Sequence, residues 1–553
     1  MTLIERRIGL LFAFLLLLMV VAAGKSLKLA IFDGSQMASA ARSQQREDLV
    51  VPAARGTISD RSGVPLAVAE AADDISATPY LVKDPRGAAQ KLAPLLGKDE
   101  SDLLDSLSRR DTGFVYLAKE VPSSKAEQVA KLGIEGIDLT PTQHRVYPRG
   151  YSASQLIGFV NDEDNGAAGL EYRLNRQLRG TDGLRRFVRD GIGDDITVRD
   201  LRPAKAGEDV RLTIDSDIQA YTEKVLRGVG STYKPKGATA IVTDPNSGAI
   251  LALANWPQID ANHPGKAPAW ALTNRATSFT YEPGSTFKAF TVAGALEDGD
   301  VTPETKFNLP PVLNLYDRTL HNNEDRGWAT MSTADILAHS DNVGAATIGI
   351  KLGKVRFDQW TRKFGFGVPT GVDLPGEERG IVMDVDKYSG TSMLNLPIGQ
   401  GQSVTPMQIT AAYGAIANGG VLRTPRIVEA FGKQRVPQDR GRRVISPQTA
   451  SELRTMLEGV LAEGGTASEV EVPGFKLAGK TGTANKIDPS GKYSESKYVA
   501  SFVGFAPASK PKLLVSVVVD EPTQGSIYGG AIAAPAFGKI AAYALQYLGI
   551  PPS

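Results

Sequence analysis

The hydrophobic pattern partitions the chain. Residues 8–24 run for 17 positions without a charge, between Arg6, Arg7 and Lys25, Lys28. This is the lower edge of a membrane span, and extension through residues 29–32 requires the lysines to snorkel. We expect a cytoplasmic tail and transmembrane anchor over 1–32, single-pass, N-terminus inside. The rival is a cleaved signal peptide ending near Val21-Ala22-Ala23; the apolar run exceeds its usual core of about 7–15 residues. Either way the bulk of the chain lies outside the cytoplasm.

Residues 33–54 are polar and rich in Ala, Gln and Arg, which suggests a juxtamembrane stalk. "RGTISDRSGVPLAV" (55–68) alternates like short strands, with turn signals at Asp60 and Ser62-Gly63. Residues 83–136 carry helical periodicity, and 142–211 are Arg-rich and glycine-punctuated. Together 55–208 read as an elongated α+β domain without a nucleophile constellation. A second domain, 209–553, opens as strand, turn and helix. "ATAIVTDPNSGAILALAN" (238–255) predicts a hairpin around Pro245–Gly248. Gly-broken helical segments follow to about 465. Three β-rich runs (475–484, 498–507, 512–521) predict an antiparallel meander, and 534–549 predicts a helix covering one face.

Composition narrows the chemistry. With 42% hydrophobic and 22% charged residues and a net charge of +1 over 553 residues, nothing argues for nucleic acid as a partner. Zero cysteines exclude disulfides and thiolate catalysis. The four histidines, His144, His263, His321 and His339, lack paired spacing, so no metal or other cofactor is expected.

Several motif readings compete. "GFKLAGKT" (474–481) matches the phosphate-loop pattern, but "GTANKIDPSGK" after Lys480-Thr481 is no helix, which phosphate binding needs. "NDEDNG" (161–166) resembles a calcium loop, but its twelfth position is Tyr172 rather than Glu. GxSxG fails at Ser154. A dispersed Ser-His-Asp triad through His321 or His339 has nothing to promote it. What survives is a set of three: Ser285-Thr286-Phe287-Lys288, Ser340-Asp341-Asn342 and Lys480-Thr481-Gly482. Each alone is weak, and Ser285 alone reads as a helix cap. Their joint occurrence in this order is specific.

On these motifs, with "RGTISDRSG", "RVYPRG", "GLEYRLNRQLRGTDG", "NRATSFTYEPGSTFK" and "IGQGQSVTPMQ", nearly the whole chain resembles class B penicillin-binding proteins, monofunctional peptidoglycan DD-transpeptidases. "DRSGVPLAV" and the short stalk resemble septal, FtsI-type members. No glycosyltransferase module precedes the first domain, which disfavours class A. The resemblance implies an anchored α+β protein. A pedestal or dimerisation-type domain precedes a transpeptidase domain with a five-stranded antiparallel sheet flanked by helices. It implies D-Ala-D-Ala stem peptides as donor, an amine acceptor, β-lactams as inhibitors, and a SEDS-family glycosyltransferase and other divisome membrane proteins as partners. An elongation-type transpeptidase, a DD-carboxypeptidase and a penicillin sensor stay open as alternatives.

Spacing places Ser285 Oγ and Lys288 Nζ on one helix face. The helix dipole, burial and the cation Lys480 are expected to lower the Lys288 pKa, leaving a neutral amine as general base. The resemblance assigns the rest. Ser340 relays a proton, Asn342 binds the substrate amide, and Lys480 biases Ser340. Thr481 and Thr483 hold the substrate carboxylate, and Gly482 lets substrate approach the strand edge. The backbone amides of Ser285 and Thr483 form the oxyanion hole.

Overall fold

The computed structural model describes residues 3–28, 46–189, 195–488 and 490–552. Residues 29–32 of the expected anchor and 33–45 of the expected stalk lie outside the described residues. Among the described residues one helix, Leu3–Lys28, is long and apolar enough to cross a membrane. Its large apolar side chains from Ile4 to Leu27 are exposed, so no protein core occupies any face of it.

Contacts divide the chain into two units that interleave in sequence. The first comprises Met1–Ala54, Ala71–His144 and Gly180–Gly207. The second comprises Arg55–Glu70, Arg145–Arg179 and Glu208–Ser553.

In the first unit, Arg46–Val51, Gly183–Arg189 and Asp195–Arg202 form an antiparallel sheet. Residues 46–51 are therefore a strand, not stalk. Asp48 lies directly opposite Arg186 and accepts from its guanidinium at 2.6 and 2.7 Å, an opposite-charge pair of the kind that sets strand register. Arg185 pairs with Asp200 in this sheet, while Arg173, Arg176 and Arg179, in the second unit, are exposed. Helices Pro85–Leu96, Glu100–Ser108 and Ser123–Ala130 bury Leu92, Leu103, Leu107 and Val129. The helical reading of 83–136 misses the strand Val115–Pro122, which adds Leu117 and Val121 to that core.

Packing divides the chain differently from the expected boundary at 208. Arg55 and Arg145 both grip Glu171, each at 2.7 Å, and the three side chains are 0–2% exposed. Ile58, Leu66, Leu156 and Leu170 share a cluster with Val210, Leu212, Ile241 and Ile250. The strings "RGTISDRSG", "RVYPRG" and "GLEYR" thus fold into the unit that carries the C-terminal half.

That unit is organised on five strands: β1 (Gly237–Thr243), β2 (Ile250–Trp256), β3 (Ala478–Ile487), β4 (Tyr493–Ala506) and β5 (Leu513–Asp520). Their spatial order is β2-β1-β5-β4-β3, antiparallel throughout. The predicted hairpin and meander are both present, and β3 is an edge strand. Near-continuous burial along β1 and β5 reflects helices on both faces. Helices α1 (Ser216–Tyr233) and α6 (Gly529–Tyr547) pack on each other and on one face. Asp215 caps α1 through the amides of Asp217 and Ile218. The other face meets α4 (Pro406–Ala417), opened by a Thr405–Gln408 capping box. Between them in sequence lie α2 (Lys288–Glu297), α3 (Asn342–Leu352) and, after α4, α5 (Pro447–Glu458). Helix α2 is buried at every position from Lys288 to Leu296, the signature of a central core helix.

Candidate active site

The turn Gly284–Phe287 is a single 3₁₀ turn running directly into α2. Gly284 has φ +53°, open only to glycine without strain. Its amide donates to Gly399 O at 3.1 Å. Thr286 Oγ1 donates to Pro283 O, and the Tyr413 hydroxyl donates to Thr286 O, both at 2.7 Å. Ser285 is thereby held half-buried at the start of a helix, where the dipole favours negative charge.

Lys288, three residues on, is fully enclosed. Its Nζ donates to Ser340 O at 2.5 Å and Asn342 Oδ1 at 2.6 Å, and lies 3.2 Å from Ser340 Oγ. Lys288 shares a helix face with Ser285, as the spacing predicts, but its hydrogen bonds go to the second motif. Ser340 takes φ +59°, a costly conformation for a non-glycine residue, which presents its carbonyl and hydroxyl together to the amine. Asp341 caps α3 by accepting from Gly344 N, and Asn342 is the first helical residue.

The third motif lies inside β3, so Lys480-Thr481 is followed by strand and the phosphate-loop reading fails on geometry. Lys480 is fully enclosed, its Nζ 3.4 Å from Thr481 Oγ1. Thr481 Oγ1 is 2.8 Å from Thr466 Oγ1. Thr483 Oγ1 accepts from Gly529 N at 3.1 Å, which leaves its hydroxyl hydrogen free to donate. A methyl group on Gly482 would lie 2.4 Å from Ser501 Oγ, 2.9 Å from Thr286 Cγ2 and 3.1 Å from Pro283 O. Gly482 therefore admits the nucleophile turn against the sheet.

Burial pushes the Lys288 amine down to about 7, opposed in part by the carboxylate of Asp341. Burial also drives Lys480 well below the ordinary lysine value, and repulsion from Lys288 adds to it. The repulsion expected on Lys288 thus registers on Lys480, while Lys288 has a carboxylate to offset it.

The comparisons with known proteins agree with this geometry. A family model for the penicillin binding protein transpeptidase domain matches residues 238–542, and one for the penicillin-binding protein dimerisation domain matches 50–212. The chain is 34% identical over 540 residues to stage V sporulation protein D of Bacillus subtilis, covering 94% of this chain and 82% of that protein. It is 32% identical over 509 residues to the peptidoglycan D,D-transpeptidase FtsI of Escherichia coli, covering 91% and 85%. The chain belongs to the class B penicillin-binding proteins. Solved penicillin binding proteins share the fold. Penicillin binding protein 3 of Mycobacterium tuberculosis, complexed with aztreonam, superposes with a TM-score of 0.72 at 31% identity, covering 91% of this chain and 98% of that one. Penicillin binding protein 2X of Streptococcus thermophilus gives 0.76 at 26%, covering 91% and 80%. This penicillin-binding protein is a serine-type D-Ala-D-Ala transpeptidase.

Some residues that build the site were not singled out in the sequence. Gly399 supports the nucleophile turn; "IGQGQ" marked the family without showing that contact. Tyr413, Thr466 and Gly529 hold motif residues from elements distant in sequence, and no local pattern announces them. Asn322 and Arg326, which bond Asp341, are equally silent.

Proposed function

We propose that this transpeptidase cross-links peptidoglycan stem peptides through a Ser285 acyl-enzyme, in septal wall synthesis, and that β-lactams arrest it there. The enclosed Lys288 amine, near neutrality and bonded to Ser340 and Asn342, carries the reading. A neutral amine donates two hydrogens, to Ser340 O and Asn342 Oδ1, and keeps a lone pair as general base. Ser285 Oγ loses its proton to Lys288 and attacks the penultimate D-Ala carbonyl. The amides of Ser285 and Thr483 receive the oxyanion. Ser340, biased by Lys480, passes the proton to the leaving nitrogen. The C–N bond breaks and D-alanine departs. Asn342 holds the substrate amide; Thr481 and Thr483 hold the terminal carboxylate. A side-chain amine of a neighbouring stem then attacks the ester, forms the cross-link and returns the proton.

The helix Leu3–Lys28 anchors the chain with its N-terminus in the cytoplasm, as Arg6 and Arg7 favour. A SEDS-family glycosyltransferase and divisome proteins are its partners; the likeness to FtsI supports this septal setting. Labelled penicillin should acylate the wild type and not Ser285→Ala. Incubation with a donor and a second stem peptide should yield a cross-linked product; release of D-alanine by hydrolysis alone would make it a carboxypeptidase. A fluorescent fusion should concentrate at the septum; a side-wall distribution would sink the septal role.

A further inference from the structure

Asp341, the middle residue of the second motif, has no part in those proton transfers, yet it is 6% exposed and every oxygen is engaged. Its Oδ1 accepts from Gly344 N at 2.6 Å, and its Oδ2 accepts from Arg326 Nε at 2.7 Å and Asn322 Nδ2 at 2.9 Å. Asn322 turns its other end to the start of α3, where Oδ1 accepts from Asn342 N at 2.7 Å and Val343 N at 3.3 Å. The Asn342 side chain is held at both ends as well. Its Nδ2 donates to His321 O at 2.9 Å while its Oδ1 receives Lys288 Nζ. Arg326 is fixed in turn, since Nη1 donates to Pro310 O and Gly327 O.

We propose that Asn322 and Arg326 are positioning residues that act through Asp341 and Asn342. Asn322 sets the orientation of the motif, and Arg326 neutralises the carboxylate beside the Lys288 amine. This rests on Lys288 being the general base.

The charges facing Lys288 are few. Asp341 comes from the N-cap of α3 and Lys480 from β3, with Arg326 behind Asp341. The helix Lys354–Lys363 packs on the Ser285 turn and α2 through Phe357 and Trp360, and its Asp358 is occupied by Arg362. Glu297, at the far end of α2, accepts from Ser446 N before α5. Among the described residues Asp341 is thus the carboxylate that favours protonated Lys288, and Arg326 is its counter-charge. A base needs the opposite, a neutral amine at neutral pH. Removing Arg326 strengthens the pull of Asp341 and keeps Lys288 protonated to higher pH; removing the Asp341 charge does the reverse.

The test is the acylation rate of the full-length protein by a fluorescent β-lactam across the neutral range, with thermal unfolding of each variant. The wild-type rate should rise with a midpoint near pH 7. Arg326→Gln should move the midpoint up by about one pH unit, slowing acylation below it by about tenfold. Asp341→Asn should move it down, and Arg326→Lys should restore it. Asn322→Ala should slow acylation. Loss of packing alone would slow variants without opposed midpoints. Midpoints that stay put, or move together, while the wild type inflects near 7 would overturn the proposal. If Arg326→Gln does not fold, the downward shift of Asp341→Asn and the retained midpoint of Arg326→Lys decide it. A wild type with no inflection near 7 would overturn the base reading itself, and this one with it.

Discussion

A methyl group placed on Gly399 would lie 2.2 Å from the carbonyl oxygen of Gly284, the residue before Ser285. The two glycines also share a hydrogen bond, from Gly284 N to Gly399 O. Neither can carry a side chain without strain, at φ +83° and +53°. The nucleophile turn is therefore shaped by a loop more than 100 residues further along the chain. Gly399→Ala should cut the rate of acylation by β-lactam at least tenfold, because the turn cannot keep its place. An unchanged rate would show that the loop yields instead.

Acylation should depend on pH with a definite sign. The Lys288 amine sits near 7 in the folded protein, below the ordinary lysine value of 10.5. Below that midpoint it is protonated and cannot accept the Ser285 proton; above it, it is neutral and can. The rate should therefore rise through neutrality and level off. Lys288→Ala should abolish the rise and most of the rate. Full acylation by Lys288→Ala would remove this residue from the base role.

Glu171→Ala should destabilise the second unit by about 3–5 kcal/mol, since it leaves two enclosed guanidiniums without their shared carboxylate. Urea unfolding measures this. The folded variant should still acylate at the wild-type rate, because Glu171 makes its bonds to Arg55, Arg145 and Tyr147, none of them in the Ser285, Ser340 or Lys480 motifs.

Thr483→Val keeps the shape of the side chain and removes the hydroxyl that faces the substrate carboxylate in our mechanism. A hydrogen bond to a charged group contributes about 1.5–3 kcal/mol, so acylation efficiency should fall roughly tenfold to hundredfold. Thr483→Ser should retain it. A β-lactam whose carboxylate is esterified should discriminate little between wild type and Thr483→Val.

Much of this was legible in the sequence, for physical reasons. The 17-residue uncharged run, the β1–β2 hairpin, the β3-β4-β5 meander and the closing helix α6 all rest on local periodicity, which survives folding. The three motifs were readable because nucleophile, relay and strand residues sit at short fixed spacings. Tertiary packing decided what is not local. It drew residues 55–70 and 145–179 into the unit that bears the site, through the ion cluster of Arg55, Glu171 and Arg145. It turned Lys288 from Ser285 toward Ser340 and Asn342, and it made Gly482 a packing contact. It enclosed Lys288 with a carboxylate for company and Lys480 without one, which sets their proton affinities. Burial and charge proximity are properties of the folded site, so a list of residues names the participants and only the fold sets their charges.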